Sequence, residues 1–101
     1  MNVDDATFLL HTLLQSRGLA HKLLNVHEIV FRNAWNDLSY AEIAESSNYD
    51  DEYIKYAGSK LWQLLSQAFD RRVSKSNFRS IFWYYNQELC RTSHQQELVK
   101  A

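Results

Sequence analysis

Residues 38–65 read LSYAEIAESSNYDDEYIKYAGSKLWQLL, and this stretch decides the fold. Ser39 and Glu42 have the Ser-x-x-Glu spacing of a capping box, in which each side chain bonds a free backbone N–H of the other residue. This spacing predicts a short helix over Tyr40–Ser46. Asn48 is expected to form the bend of the turn that follows, because asparagine tolerates the backbone conformations that turns require.

A longer helix is expected over Asp51–Phe69, with Asp50 as its cap. Gly58 lies beside its apolar stripe, where the missing side chain permits close approach of another helix. A short capped helix, a tight turn and a longer helix together make a helix-turn-helix, here residues 38–69. The positions expected to face the core recur at helical spacing and are Ile54, Ala57, Leu61, Leu64, Leu65 and Ala68.

The rest of the chain also predicts helices. Proline is absent and glycine occurs twice, which disfavours folds that need many turns. We therefore expect an all-α domain of about five helices, a helix-turn-helix core with flanking helices, over residues 1–91, and a flexible tail over 92–101. One further helix is expected over about Asp5–Arg17 and ends at a left-handed Gly18. A second runs from Asn25 to near Asn36 and begins with a capping box of Asn25 and Glu28. A third is expected over about Lys75–Arg91, with Ser74 or Ser76 as its cap.

Composition places the chain among globular proteins. It has 101 residues, of which 46% are apolar and 23% charged. The single cysteine, Cys90, excludes an internal disulfide. The N-terminus is acidic, unlike a signal peptide, and no apolar stretch is long enough to cross a bilayer. We expect a cytoplasmic protein with no membrane contact.

The net charge of −1 conceals an uneven distribution. Residues 1–52 hold three basic and nine acidic residues, whereas residues 53–91 hold seven basic and two acidic residues. Such asymmetry indicates a surface that binds a charged partner.

Double-stranded DNA is the first partner to consider. The first helix of a helix-turn-helix crosses the phosphate backbone and the second lies in the major groove. The basic residues that follow the second helix would then contact phosphates. The alternative is an ordinary solvated helix face. The candidate DNA-binding residues are Lys55, Tyr56, Ser59, Lys60 and Gln63 on the helix, and Arg71, Arg72, Lys75 and Arg79 after it.

Four consecutive aromatic residues occupy positions 82–85. A helix cannot bury four consecutive side chains on one face, so one or two rings must point elsewhere. They could pack on the first helix or lie between two copies of the chain. We favour a homodimer, with Trp83, Tyr84 and Tyr85 as its interface, because aromatic residues are enriched in interface cores.

No residue pattern indicates catalysis. The four histidines have no metal-ligand spacing, and Cys90 with His94 would supply only two of the four ligands of a zinc site. Glycine-rich phosphate loops and paired-carboxylate motifs are absent from the sequence. We expect a protein without enzymatic activity, bound metal or cofactor.

The sequence also resembles known domains. YAEIA at residues 40–44 and YIK at 53–55 resemble the helix-turn-helix of LuxR-type regulators and of sigma-factor region 4. With GSKLWQLLS at 58–66 and KSNFR at 75–79, the stretch more closely resembles a domain of cyanobacterial signalling proteins. There it precedes von Willebrand A/MoxR-associated modules, or NB-ARC-type ATPase domains with WD repeats. The resemblance covers roughly Leu23–Trp83 and implies a recognition helix over Tyr53–Gln63.

The sequence departs from this family at the start of that helix, where Asp50, Asp51 and Glu52 replace a small or neutral turn. Three carboxylates suit the positive end of the helix dipole but repel a phosphate at close range. Two functions therefore stay open. One is a DNA-binding transcriptional regulator, and the other is a protein–protein interaction adaptor in a signalling pathway.

Overall fold

The computed structural model describes the backbone of residues 1–100 and the side chains of residues 1–90. The described backbone contains five α-helices and no strand, which confirms the all-α prediction. The flexible tail predicted over 92–101 lies outside the described side chains. The helices are α1 (Val3–Ser16), α2 (Asn25–Trp35), α3 (Tyr40–Ser47), α4 (Asp51–Phe69) and α5 (Phe78–Lys100), with a 3-10 turn (Ala20–Lys22) between α1 and α2.

The residues predicted to terminate α1 and to cap and terminate α3 are confirmed, although α1 begins at Val3 instead of Asp5 and α3 ends at Ser47 instead of Ser46. The Ser39 amide donates to Glu42 Oε1 at 2.9 Å, and the Glu42 amide donates to Ser39 Oγ at 3.2 Å, which completes the capping box. Asn48 ends α3 in the left-handed conformation with φ of 64°, and Gly18 follows α1 with φ of 71°. These local signals could be read from sequence because each involves residues within one helical turn.

The predicted capping box of Asn25 and Glu28 is wrong. Asn25 is already the first helical residue of α2, and the extended residue before it is Leu24. The Leu24 amide donates to Nδ1 of His27 at 3.0 Å, so the histidine supplies the cap. Glu28 is instead held by α1, where Nε2 of His11 lies 2.7 Å from its Oε1.

The predicted start of α5 is also wrong. Ser74 and Ser76 do not cap it, because the chain forms a turn over residues 75–77 before the helix begins at Phe78. Asn77 closes that turn by accepting a hydrogen bond of 2.7 Å from the Ser74 amide. The two serine hydroxyls lie 2.9 Å apart and bond each other.

The core joins α2, α4 and α5 through aromatic rings. Phe31, Phe78 and Phe82 are fully buried, and the ring centroid of Phe31 lies 5.5 Å from Phe78 and 5.2 Å from Phe82. Trp62 of α4 joins them, 4.8 Å from Phe78. All six positions of α4 predicted to face the core are buried. α2 packs against α1, α3 and α4. The face of α4 opposite its buried positions is exposed to solvent.

No described helix combines the length and apolar character needed to span a membrane.

Candidate nucleic-acid interface

A tyrosine fixes α3 against α4. A Cβ added at Gly58 would lie 2.7 Å from Cε1 of Tyr40, so the predicted close approach is confirmed, with α3 as the approaching helix. The Tyr40 hydroxyl accepts a hydrogen bond of 2.8 Å from Nε1 of Trp62. Gly58 and Trp62, through their contacts with Tyr40, thereby fix the position of α4 relative to α3.

The five residues of α4 predicted to bind DNA share the outer face of the helix. All five are exposed, and they extend over about two and a half turns. The structure thus brings them together on one solvent-facing surface, whose members are Lys55, Tyr56, Ser59, Lys60 and Gln63.

The first turn of α4 is acidic, and its carboxylates form ion pairs with Lys55 of the same helix. Nζ of Lys55 lies 3.1 Å from Oδ2 of Asp51 and 3.8 Å from Oε1 of Glu52. The hydrogen bond that the Lys55 ammonium donates to Asp51, and then the charges of both carboxylates, raise the pKa of Lys55. Asp50 occupies the cap position, although its side chain makes no capping bond. Lys55 is therefore already neutralised by its own helix.

The middle of α4 and the segment after it carry cations without acidic partners. Lys60 Nζ lies 5.4 Å from the ring centroid of Tyr56 and forms no ion pair with any described residue. Arg71 and Arg72 directly follow the left-handed Asp70 that ends α4. Both are exposed and likewise unpaired within the described part of the chain. Unpaired positive charge is thus present at the middle of α4 and directly after its C-terminal end.

Lys75 lies beside α3, and Arg79 lies beside the end of α2. Lys75 Nζ lies 5.6 Å from the ring centroid of Tyr40. Arg79 donates to the backbone oxygen of Trp35 at 3.3 Å and to Oδ1 of Asp37 at 3.4 Å. The four basic residues that follow α4 in sequence are therefore split, and Arg79 links α5 to the end of α2.

Two clefts border the second half of α4. Two residues that line these clefts, Lys22 and Gln67, were not predicted from the sequence. Lys22 lies on the 3-10 turn and belongs to no motif. Gln67 follows Gln63 by one helical turn, and this spacing could have identified it. One cleft, of about 420 Å³, is lined by Lys22, Leu24, His27, Tyr56, Lys60, Gln63, Leu64 and Gln67. The other, of about 380 Å³, is lined by Ser59, Trp62, Gln63, Ser66, Arg72, Val73 and Ser74.

The aromatic run divides as its spacing requires. Phe82 is fully buried, whereas Trp83 and Tyr84 are 44% and 69% exposed. Tyr85 is half-buried, with its ring centroid 5.5 Å from that of Phe69. On α1, Phe8 is 72% exposed and lies with Trp83 in a cleft of about 460 Å³ between α1 and α5. We call Phe8, Trp83 and Tyr84 the aromatic patch.

Metal-ligating side chains are not gathered in the described part of the chain: no group of three or more His, Cys, Asp or Glu residues there is arranged to hold an ion. Cys90 is exposed, and His94 lies outside the described side chains.

Comparison with known protein families shows a match over most of the chain. A family model described as the N-terminal helix-turn-helix of vWA-MoxR associated proteins matches residues 1–84, which span α1 to α4 and the beginning of α5. This confirms the resemblance to that domain inferred from the sequence motifs. No curated protein and no solved structure shows significant similarity to the chain.

Proposed function

The chain belongs to the family of N-terminal helix-turn-helix domains of vWA-MoxR associated proteins, and from this premise we propose that it binds double-stranded DNA as a transcriptional regulator. The surface that would bind comprises the second half of α4 and the two arginines after it. The domain would act in the cytoplasm, by binding rather than by catalysis.

The observation that carries this proposal is the set of unpaired cations at the middle of α4 and directly after its C-terminal end. Lys60, Arg71 and Arg72 are exposed, and none forms an ion pair with a described residue. Cations that are free to bind phosphates release counterions from DNA, and this release supplies much of the affinity. Ser59 and Gln63 lie among them and can hydrogen-bond base edges.

The acidic start of α4 determines how DNA would approach. Two like charges 4 Å apart repel by about 1 kcal/mol in water and by about 4 kcal/mol near a protein surface. A phosphate is therefore disfavoured beside Asp51 and Glu52, and Lys55 already forms ion pairs with both carboxylates. We expect the duplex to lie over the second half of α4, and Lys55 to contribute less than Lys60.

Fluorescence anisotropy with a random-sequence duplex of about 20 base pairs, two helical turns, tests this function. We expect micromolar binding that weakens steeply from low to moderate salt. A variant in which Lys60, Arg71 and Arg72 are all glutamine should lose binding while its circular dichroism spectrum stays helical. Absence of binding at low salt, or binding that survives in this variant, would refute the proposal.

The regulator would act as a homodimer, joined through the aromatic patch. Dimeric readers match two half-sites about one helical turn apart. The patch supports this because its three rings are exposed and because two of them share one cleft. Tyr85 offers less contact surface, since it packs on Phe69. Sedimentation velocity should show concentration-dependent dimers that Phe8→Ser with Trp83→Ser abolishes, and a monomer at every concentration would exclude this arrangement.

A protein-interaction adaptor is the second candidate function. The pairing of Lys55 with Asp51 favours it, because this pairing withdraws a cation from the position where a recognition helix usually begins its contacts. The exposed aromatic patch would also suit a protein partner. Recovery of one specific protein from nuclease-treated lysate, with no duplex binding in the anisotropy assay, would favour the adaptor. Recovery that nuclease treatment abolishes would count against it.

A further inference from the structure

The cleft of about 420 Å³ between the 3-10 turn and α4 is lined by two lysines and by no carboxylate. We propose that it is a phosphate-binding site in which Lys22 and Lys60 supply the two cations. That the phosphate belongs to a DNA backbone rests on the proposed function. Lys22 then becomes a member of the interface, although it lies outside the helix-turn-helix unit.

The lining of the cleft matches an anionic ligand. The imidazole of His27 lines the cleft but is already bonded to the Leu24 amide and to the Lys22 backbone. The other polar groups are the two ammonium groups of Lys22 and Lys60, the side-chain amides of Gln63 and Gln67, and the hydroxyl of Tyr56. These groups can all donate hydrogen bonds to phosphate oxygens. No carboxylate lines the cleft. A ligand with several acceptor oxygens and a negative charge is therefore the chemistry that this site recognises.

Both lysines are available to a ligand. Each is exposed, and neither forms an ion pair with a described residue. Lys55, only one and a half turns before Lys60 on the same helix, is held by Asp51 and does not line the cleft. The site thus combines unpaired cations from two separate elements.

The apolar part of the lining would contact the sugar to which the phosphate is attached. Leu24 is 58% exposed and lines the cleft together with Leu64 and the ring of Tyr56. An apolar wall beside phosphate donors suits the face of a deoxyribose, whose ring carbons lie next to the phosphate. A volume of about 420 Å³ lies within the range, about 300–1,000 Å³, of clefts that hold small organic groups.

The position of the cleft also agrees with a nucleic-acid strand that crosses α4. Gln63 lines both this cleft and the one that contains Arg72, so the two clefts adjoin on either side of it. A strand that crosses α4 at Gln63 would meet Arg72 on one side and Lys22 with Lys60 on the other. Successive phosphates can then be bound from both sides of the helix.

The test compares Lys22→Gln with Arg17→Gln, which removes one positive charge at an exposed residue that lines neither cleft. Affinity for the 20-base-pair duplex is measured over a series of salt concentrations. Loss of one phosphate contact should make the negative slope of log K against log salt shallower by about 0.9 and weaken binding several-fold at low salt. Arg17→Gln should leave both quantities near the wild-type values.

A second measurement separates the sources of the phosphate. Inorganic phosphate is titrated into the wild-type protein while the backbone amide NMR signals of Lys22, Leu24, Lys60 and Gln67 are followed. Saturable shifts that Lys22→Gln abolishes support the phosphate site, and they would identify free phosphate as the source if the duplex does not bind. If Lys22→Gln changes neither duplex affinity nor the phosphate titration, the inference is overturned. The proposed DNA binding would still stand where the variant lacking Lys60, Arg71 and Arg72 loses the duplex.

Discussion

The indole N–H of Trp62 donates to the hydroxyl of Tyr40 across 2.8 Å, and this hydrogen bond joins the two helices of the helix-turn-helix. Tyr40 is the first residue of α3, whereas Trp62 lies in the fourth turn of α4. The tyrosine ring also fills the space that Gly58 leaves open. The angle between the helices therefore depends on three residues that no single turn of helix contains.

Replacing Tyr40 with phenylalanine should destabilise the domain. The ring would still pack at Gly58, but the N–H of Trp62, which is only 7% exposed, would lose its acceptor. A buried donor without a partner costs about 1–3 kcal/mol in free energy of unfolding. Urea denaturation of Tyr40→Phe should show this loss. Tyr84→Phe, the same change at a residue that is 69% exposed, should leave the midpoint unchanged, and equal effects would contradict the role of the bond.

Gly58→Val should be more destructive than its helix propensity suggests. Valine forms helices better than glycine, yet its branched side chain would collide with Tyr40, whose Cε1 already lies 2.7 Å from an added Cβ. Overpacking of this kind costs about 1–3 kcal/mol. Thermal unfolding should show the loss. Ser59→Val, one residue along on the exposed face, serves as the control and should stay within about 0.5 kcal/mol of wild type.

These two predictions show where sequence reasoning succeeds and where it stops. The capping box of Ser39 and the left-handed Asn48 follow from residues within one turn of each other, and sequence alone predicted both. The pairing of Lys55 with Asp51 has i, i+4 spacing, also within about one turn, and could have been read in the same way. The close approach at Gly58 was predicted, but its partner Tyr40 was not, because that contact depends on the angle between helices.

The candidate site shows the same division. The outer face of α4 follows from helical periodicity, and all five of its predicted residues are exposed. Lys22 joins the cleft from another element, 38 positions before Lys60, so no spacing rule could reveal it. The bond between Arg79 and the backbone of Trp35 likewise joins residues far apart in sequence. Contacts of this kind are set by tertiary packing.

Lys60 and Lys55 should differ as DNA contacts although both lie on the outer face of α4. Lys60→Gln should weaken duplex binding several-fold and lower the salt slope by about 0.9. Lys55→Gln should have a smaller effect, because its ammonium already bonds Asp51 at 3.1 Å. Anisotropy titrations at several salt concentrations measure both quantities. A larger loss at Lys55 would mean that DNA breaks this ion pair and enters at the acidic end.

Arg79 and Arg71 should separate stability from binding. Arg79→Gln removes the bonds to Trp35 and Asp37, so we expect the unfolding free energy to fall by up to about 1 kcal/mol with little change in duplex affinity. Arg71→Gln should weaken duplex binding and leave stability unchanged, because Arg71 is exposed and unpaired among the described residues. The opposite pattern in urea denaturation and anisotropy would place Arg79 at the DNA.

Acid should destabilise the domain through His27. Burial lowers the pKa of this imidazole below its ordinary value, and the bond to the Lys22 backbone only partly opposes the shift. The unfolded chain therefore binds the proton more readily. The contribution to stability is complete above about pH 6.5 and is lost as the pH falls through the folded pKa.

Urea denaturation between about pH 5 and pH 8 measures this contribution. His27→Gln should reduce the acid-induced loss, because a glutamine at this position of the first turn can still accept from the Leu24 amide but does not titrate. His21→Gln, at an exposed position, should retain the loss. An unchanged pH dependence in His27→Gln would show that other groups are responsible.

The short connections between the helices also bear on how fast the domain forms. α1 packs on α2, and α2 packs on α3 and α4, so most of the core joins helices that are close along the chain. Chains dominated by such local contacts fold in microseconds to milliseconds, because little loop-closure entropy is lost before contacts form. The sequence contains no proline, so no peptide bond has to isomerise over tens of seconds. A ribosome adds only about 5–20 residues per second, and the completed helices can therefore dock before the next few residues emerge.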